Sequence, residues 1–125
     1  MQINPEVDLT IDIHNLTSEF QRLALVLFQY YKYKAQVEEK RDIAKAKLKE
    51  VRAIAYKRIR SDMSRKHTEN STEADIDTDP DVLAAQSVFF SAEHDATTWS
   101  GAVDSMKAKK DSLIQLGADS RKERQ

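Results

Sequence analysis

An all-α fold is predicted by three features of this 125-residue chain. The stretch from Leu16 to Lys66, about fifty positions, contains no proline or glycine and is periodic at helical spacing, and a second periodic stretch begins at Pro80. The third feature is the composition: two glycines, two prolines and 33% charged residues suit long helices better than a turn-rich sheet. From Leu16, the residues Phe20, Leu23, Leu27, Tyr30, Val37, Ala44, Leu48, Val51, Ala55 and Ile59 advance by threes and fours, with Lys34 and Arg41 as polar breaks. That is a heptad seam. A helix of this extent is on the order of 75 Å long, too long to hide inside a 14.3 kDa globule, so it must lie along something equally long.

The elements follow in order. In residues 1–14, Val7, Leu9, Ile11 and Ile13 alternate with Asp8, Thr10 and Asp12, which predicts an extended N-terminal arm. The arm either docks on the helices or pairs with its counterpart in another subunit. The first long helix is predicted over 15–66, with Asn15 as its cap and Glu19 near the positive end of its dipole. Its first third, Phe20 to Tyr33, is apolar around more than one face, which suggests burial against further subunits. The run HTENSTEADIDT, 67–78, lacks sustained periodicity and is predicted to be an acidic flexible linker. Asp79 as cap and Pro80 at the first helical position open a second long helix over 79–119. Its seam runs through Val82, Ala85, Phe89, Ala92, Ala96, Trp99, Val103, Met106 and Leu113, with Lys110 as a polar break and Gly117 as terminator. Residues 120–125 form a charged tail. Two long helices joined by a loop fold back as an antiparallel hairpin, one domain in all. Because a hairpin has a thin core, a homo-oligomer in which neighbouring hairpins complete the burial is expected.

Several function classes find no support. Without cysteine there is no disulfide framework and no thiolate metal site, which fits a cytoplasmic protein. Leu23 to Phe28, the longest apolar run, is far short of the roughly 20 residues that span a bilayer, and the N-terminus has no basic-then-apolar leader. The chain therefore reads as soluble and unprocessed. His14, His67 and His94 share no metal-binding face, the two glycines form no phosphate loop, and no serine, histidine and acid trio has a recognisable spacing. The reading is a non-enzyme without cofactors. Trp99-Ser100-Gly101 matches the WXG tripeptide of small secreted helical hairpins. In those proteins the tripeptide marks the turn, whereas here it falls inside a periodic helix and is taken as coincidence.

The net charge of −1 conceals two opposed blocks. Residues 40–66 carry eleven Lys or Arg against Asp42, Glu50 and Asp62, and residues 67–95 carry eight acids with no Lys or Arg. The basic block ends in Lys57, Arg58, Arg60, Arg65 and Lys66, with Tyr56 and Met63 interleaved. Dispersed cations suit phosphates, and flat apolar faces suit splayed bases, so these residues are the candidate nucleic-acid site. Tyr56, beside the buried seam, is the weaker contributor. The acidic block next to them is expected to compete for the cations when no polyanion is bound.

Three stretches carry a resemblance to a known family. TTWSGAVDSMKAKKDSLIQLGADSRKE, IDIHNLTSEFQRLALVLFQYYKYKAQ and IAYKRIRSDM resemble the closing helix, the opening arm and helix, and the central basic segment of phage recombination mediators of the UvsY type. The resemblance implies a helical ring-forming oligomer, heptameric in the best-known member, that binds single-stranded DNA. It also implies that the protein helps load the phage recombinase onto strands coated by single-strand DNA-binding protein, in the cytoplasm of the infected host cell. The family's DNA-contact segment corresponds to Lys57, Arg58 and Arg60, with Arg65 and Lys66 as neighbours. SRKHTENSTEADID departs from the family pattern, being more acidic and lacking a glycine-rich turn. Two rival readings remain: a structural coiled-coil scaffold whose basic face is merely solvated, and an adaptor that holds a partner protein along the helix groove.

Overall fold

The computed structural model describes residues 3–123. The chain is all-helical, with α1 Pro5–Asp8, α2 Leu16–Arg60, α3 Glu69–Asp77 and α4 Pro80–Glu123, and no strand among the described residues. The long helices pack against each other, mostly through seam residues: Tyr30, Val37, Ala44 and Ala55 from α2, and Val82, Ala96, Val103, Met106 and Leu113 from α4, are buried, joined by Val26 from off the seam, whereas Phe20 of the seam is 40% exposed. By packing, the chain falls into two compact units.

The first unit comprises the described residues of Met1–Gln36 and Thr97–Gln125. Its core is Val26, Tyr30, Val103 and Met106, flanked by Leu23, Leu27, Trp99 and, from the N-terminal segment, Ile3 and Leu9. Trp99 stands edge-on to Tyr33, with centroids 4.4 Å apart, and lies 6.1 Å from Tyr30. The WSG tripeptide thus supplies a core aromatic in mid-helix, with no turn. The N-terminal segment is not extended. Pro5 sets the first helical φ, the Asn4 amide donates to the Asp8 carboxylate at 3.1 Å and the Thr10 hydroxyl donates to the Glu6 carbonyl at 2.9 Å, which closes the helical turn α1. The alternating pattern is therefore not a strand. Leu9 packs on the core, whereas Val7 and Ile13 are exposed. Met1 and Gln2 of the expected arm lie outside the described residues.

Lys109 fixes that segment. Its ammonium pairs with Glu19 at 2.8 Å and donates to the carbonyls of Asp8 and, at 3.1 Å, Thr10. The expected polar break at Lys110 is exposed, and its neighbour Lys109 is the cation that turns inward. Asn15 contributes its carbonyl, accepting from the Glu19 amide at 3.2 Å. The second helix continues through Gly117 to Glu123, because Gly117 holds ordinary helical φ and lies against the Phe20 ring. Residues 120–123 of the expected tail are helical, and Arg124 and Gln125 lie outside the described residues.

The second unit is Val37–Ala96, with a core of Ala55, Ile76 and Val82 flanked by Leu48, Val51 and Ile59. Here the first helix ends six residues earlier than expected. After Arg60 the Asp62 carboxylate accepts from the Ser64 amide at 3.0 Å and hydroxyl at 2.6 Å, a local turn that competes with helix. These bonds hold the Asp62 carboxyl below the usual carboxylate range. The expected flexible linker folds as α3. Thr68 caps it reciprocally with Ser71, the Thr72 hydroxyl donates to the Thr68 carbonyl at 2.8 Å, and Thr72 and Ile76 turn inward, fully buried or nearly so. Asp79 caps α4, accepting from the amides of Asp81 at 3.1 Å and Val82 at 3.2 Å.

Candidate nucleic-acid interface

The candidate site lies within the second unit, where the last turns of α2 face α3. Three of the sequence-predicted cations are brought together with carboxylates. Arg58 pairs with Asp79, Arg60 with Glu69 and Arg65 with Asp75. The Arg60 guanidinium also lies 5.5 Å from the centre of the Tyr56 ring, a cation–π contact, and the Tyr56 hydroxyl points to Glu69 at 3.5 Å. Tyr56 is thus occupied by its own arginine, and only part of its ring faces water. Lys57 and Lys66 are exposed and take part in no ion pair among the described residues. Arg65 and Lys66 lie beyond the end of α2, in the segment that leads to α3.

Arg52 completes the set, and the pattern of basic residues at the helix end did not single it out. It forks between Glu73 at 3.1 Å and Asp77 at 3.2 Å, one helical turn apart on α3. The signal was available in the sequence, since Glu73 and Asp77 stand at i and i+4, but only once α3 is a helix does that spacing present both acids to one guanidinium. Four arginines are therefore held in place by five carboxylates of α3 and its flanks. The acidic block does sit on the basic one.

The pairs differ in strength. Asp79 is buried and also caps α4, so it is held from within, while its partner Arg58 remains 54% exposed and open to solvent. The carboxylates of Glu69, Glu73 and Asp77 are more than half exposed, and pairs of that kind are worth about 0–1 kcal/mol each. A phosphate backbone that releases condensed counterions is a competitive alternative partner for such guanidiniums. Chemically the site offers oriented planar cations, two free ammonium groups and one partly available ring. Among the described residues no group of three or more His, Cys, Asp or Glu is placed to hold a metal, and no helix is long and apolar enough to cross a membrane. No family model, curated protein or solved structure matches the chain.

Proposed function

We propose that this chain is a single-stranded DNA-binding recombination mediator of the UvsY type. In this reading an antiparallel helical hairpin assembles into a ring-like homo-oligomer, helps load a phage recombinase onto DNA coated by single-strand DNA-binding protein, and performs no catalytic step. The observation that carries the reading is the concentration of Lys57, Arg58 and Arg60, with Arg52, Arg65 and Lys66 beside them, opposite a helix of carboxylates that a polyanion can replace. Each subunit contributes a few phosphate contacts, and a closed assembly joins them into a continuous track. Large apolar side chains left in water in both units, Phe28 and Leu25 in one and Ile43, Ile54 and Val88 in the other, support self-association.

The same ion pairs support a second reading, a coiled-coil scaffold or adaptor in which the arginines serve only to fasten α3. The two are separated by the triple substitution Lys57→Ala, Arg58→Ala, Arg60→Ala. The mediator reading expects fluorescence anisotropy with a labelled oligonucleotide to show affinity lost by about tenfold or more per the removed phosphate contacts, while the assembly mass and helical circular dichroism are kept. Affinity that survives the triple change contradicts the site, and a wild-type chain without affinity at low salt favours the scaffold.

A further inference from the structure

In the second unit, α3 covers only one flank of the seam. The residues it engages on α2, Arg52, Tyr56 and Arg60, lie to one side of buried Ala55 on the helical wheel, and Ile54 and Arg58 lie to the other. Among the described residues, no element of the unit covers that second flank. It is a shallow groove between α2 and α4, floored by Ile43, Ala44 and Ile54 from α2 and Ala84, Val88 and Ala92 from α4. Ile43 and Val88 are each 62% exposed and Ile54 57%. Three branched aliphatic side chains in water along one stripe of an otherwise charged surface are the mark of an interface.

The lips of the groove identify its occupant. The α2 lip is basic, with Lys40 and Lys47 at one end and Arg58, already paired with Asp79, at the other, and the α4 lip is acidic, with Asp95 and Asp81 at the matching levels. Neither Lys40 nor Asp95 has an ion-pair partner among the described residues, and Lys47 is 3.9 Å from Glu50 at the outer edge of α2. A surface with a cationic row beside an anionic row is complementary to itself under one operation. A two-fold axis running along the helices sets each α2 over the other copy's α4, and Lys40 then meets Asp95 of the partner subunit at the same level. A two-fold across the helices would instead stack α2 on α2 and bring like charges together, which destabilises. The small residues Ala84 and Ala92 on α4 let the facing helix approach closely.

We propose that a second copy of this chain occupies the groove about a two-fold axis parallel to the helices, giving an isologous four-helix contact with Lys40–Asp95 pairs at its rim and Ile43, Ile54 and Val88 at its centre. Arg58, one of the proposed DNA contacts, lines one end of the groove, whereas Lys40, Ile43, Val88 and Asp95 lie outside the proposed DNA site. The contact requires an even number of subunits, unlike the heptamer that the resemblance implies. Rings built purely head to tail do not contain it.

The test uses the full chain, with native mass spectrometry for the subunit count and sedimentation velocity for affinity. Val88→Lys, a change at an exposed position that leaves the fold intact, raises the self-dissociation constant by about tenfold or more, with unchanged circular dichroism. Lys40→Asp alone and Asp95→Lys alone each weaken association, and mixing the two variants in equal amounts restores it, since every rim pair is then again of opposite charge. An odd subunit count, a monomeric wild type, full association of Val88→Lys, or two single variants that fail to recover on mixing each overturns the proposal. Loss of DNA binding with association intact bears on the function above and leaves this contact standing.

Discussion

Lys109 anchors the N-terminal segment to both long helices of the first unit. Its side chain is 9% exposed and satisfies Glu19 together with two main-chain carbonyls, so its removal leaves the Glu19 carboxylate unpaired in a poorly solvated place. Lys109→Met is expected to cost roughly 2–3 kcal/mol by urea denaturation and to open residues 5–10 to hydrogen exchange. A cost within a few tenths of zero would mean that Leu9 and Ile3 hold the segment unaided. Tyr30, fully buried, donates its hydroxyl to Asp8 at 2.8 Å, and burial first and this bond second push the phenol well above its ordinary value. The folded state keeps the proton longer than the unfolded chain, so this contribution to stability is full below about pH 10 and falls as pH rises beyond it. Tyr30→Phe should therefore flatten the alkaline limb of a pH-dependent melt, and an unchanged limb contradicts the assignment. Gly101 and Gly117 sit inside α4 with helical φ. A Cβ at Gly101 meets nothing within 4 Å, and one at Gly117 reaches ordinary contact with Phe20. Alanine at either position should raise stability by about 0.5–1 kcal/mol. None of these roles was readable from the sequence beyond the seam positions themselves, because hydrophobic periodicity counts apolar residues and is blind to a lysine that buries its stem and satisfies its head.

The two long helices were readable because about twenty seam residues at consistent three-four spacing, of order ten heptads in all, average out local exceptions. Most of the seam positions proved to be buried, Tyr30 packing with Val103 and Met106 and Ala55 with Val82. Element α3 was not readable. Its apolar content is Ile76 and the methyl of Thr72, its capping partner at the third position is Ser71 in place of the usual Glu or Gln, and what orders it is a set of charge pairs with residues up to 25 positions away. A polar segment with few core residues looks unfolded until the opposing arginines are in place. Two changes separate its supports. Thr68→Ala removes the cap and should lower protection of the 69–77 amides, by the equivalent of about 1 kcal/mol, with little effect on the long helices. Glu69→Gln, Glu73→Gln and Asp77→Asn together keep the helix but release Arg52 and Arg60 from charged partners. The competition described above then predicts tighter oligonucleotide binding at low salt, by several-fold. Unchanged or weaker binding would show that the carboxylates orient the arginines and do not compete with the ligand.

Taken across the chain, a formal net charge of −1 is the sum of two blocks that the fold brings face to face, so the site is close to neutral until α3's acids are displaced. Binding in this account is an exchange of weak intramolecular pairs for phosphate contacts, and it carries the salt dependence of counterion release. The measurement that bears most directly on it is the affinity of the wild-type chain for a labelled single-stranded oligonucleotide across a salt series, beside the Lys57→Ala, Arg58→Ala, Arg60→Ala variant. The account predicts a log–log slope of about −0.7 per phosphate engaged, hence about −2 for three contacts from one subunit and steeper for several, with both affinity and slope largely lost in the variant. No affinity for the oligonucleotide in dilute buffer, or an affinity indifferent to salt and to the triple substitution, would contradict it.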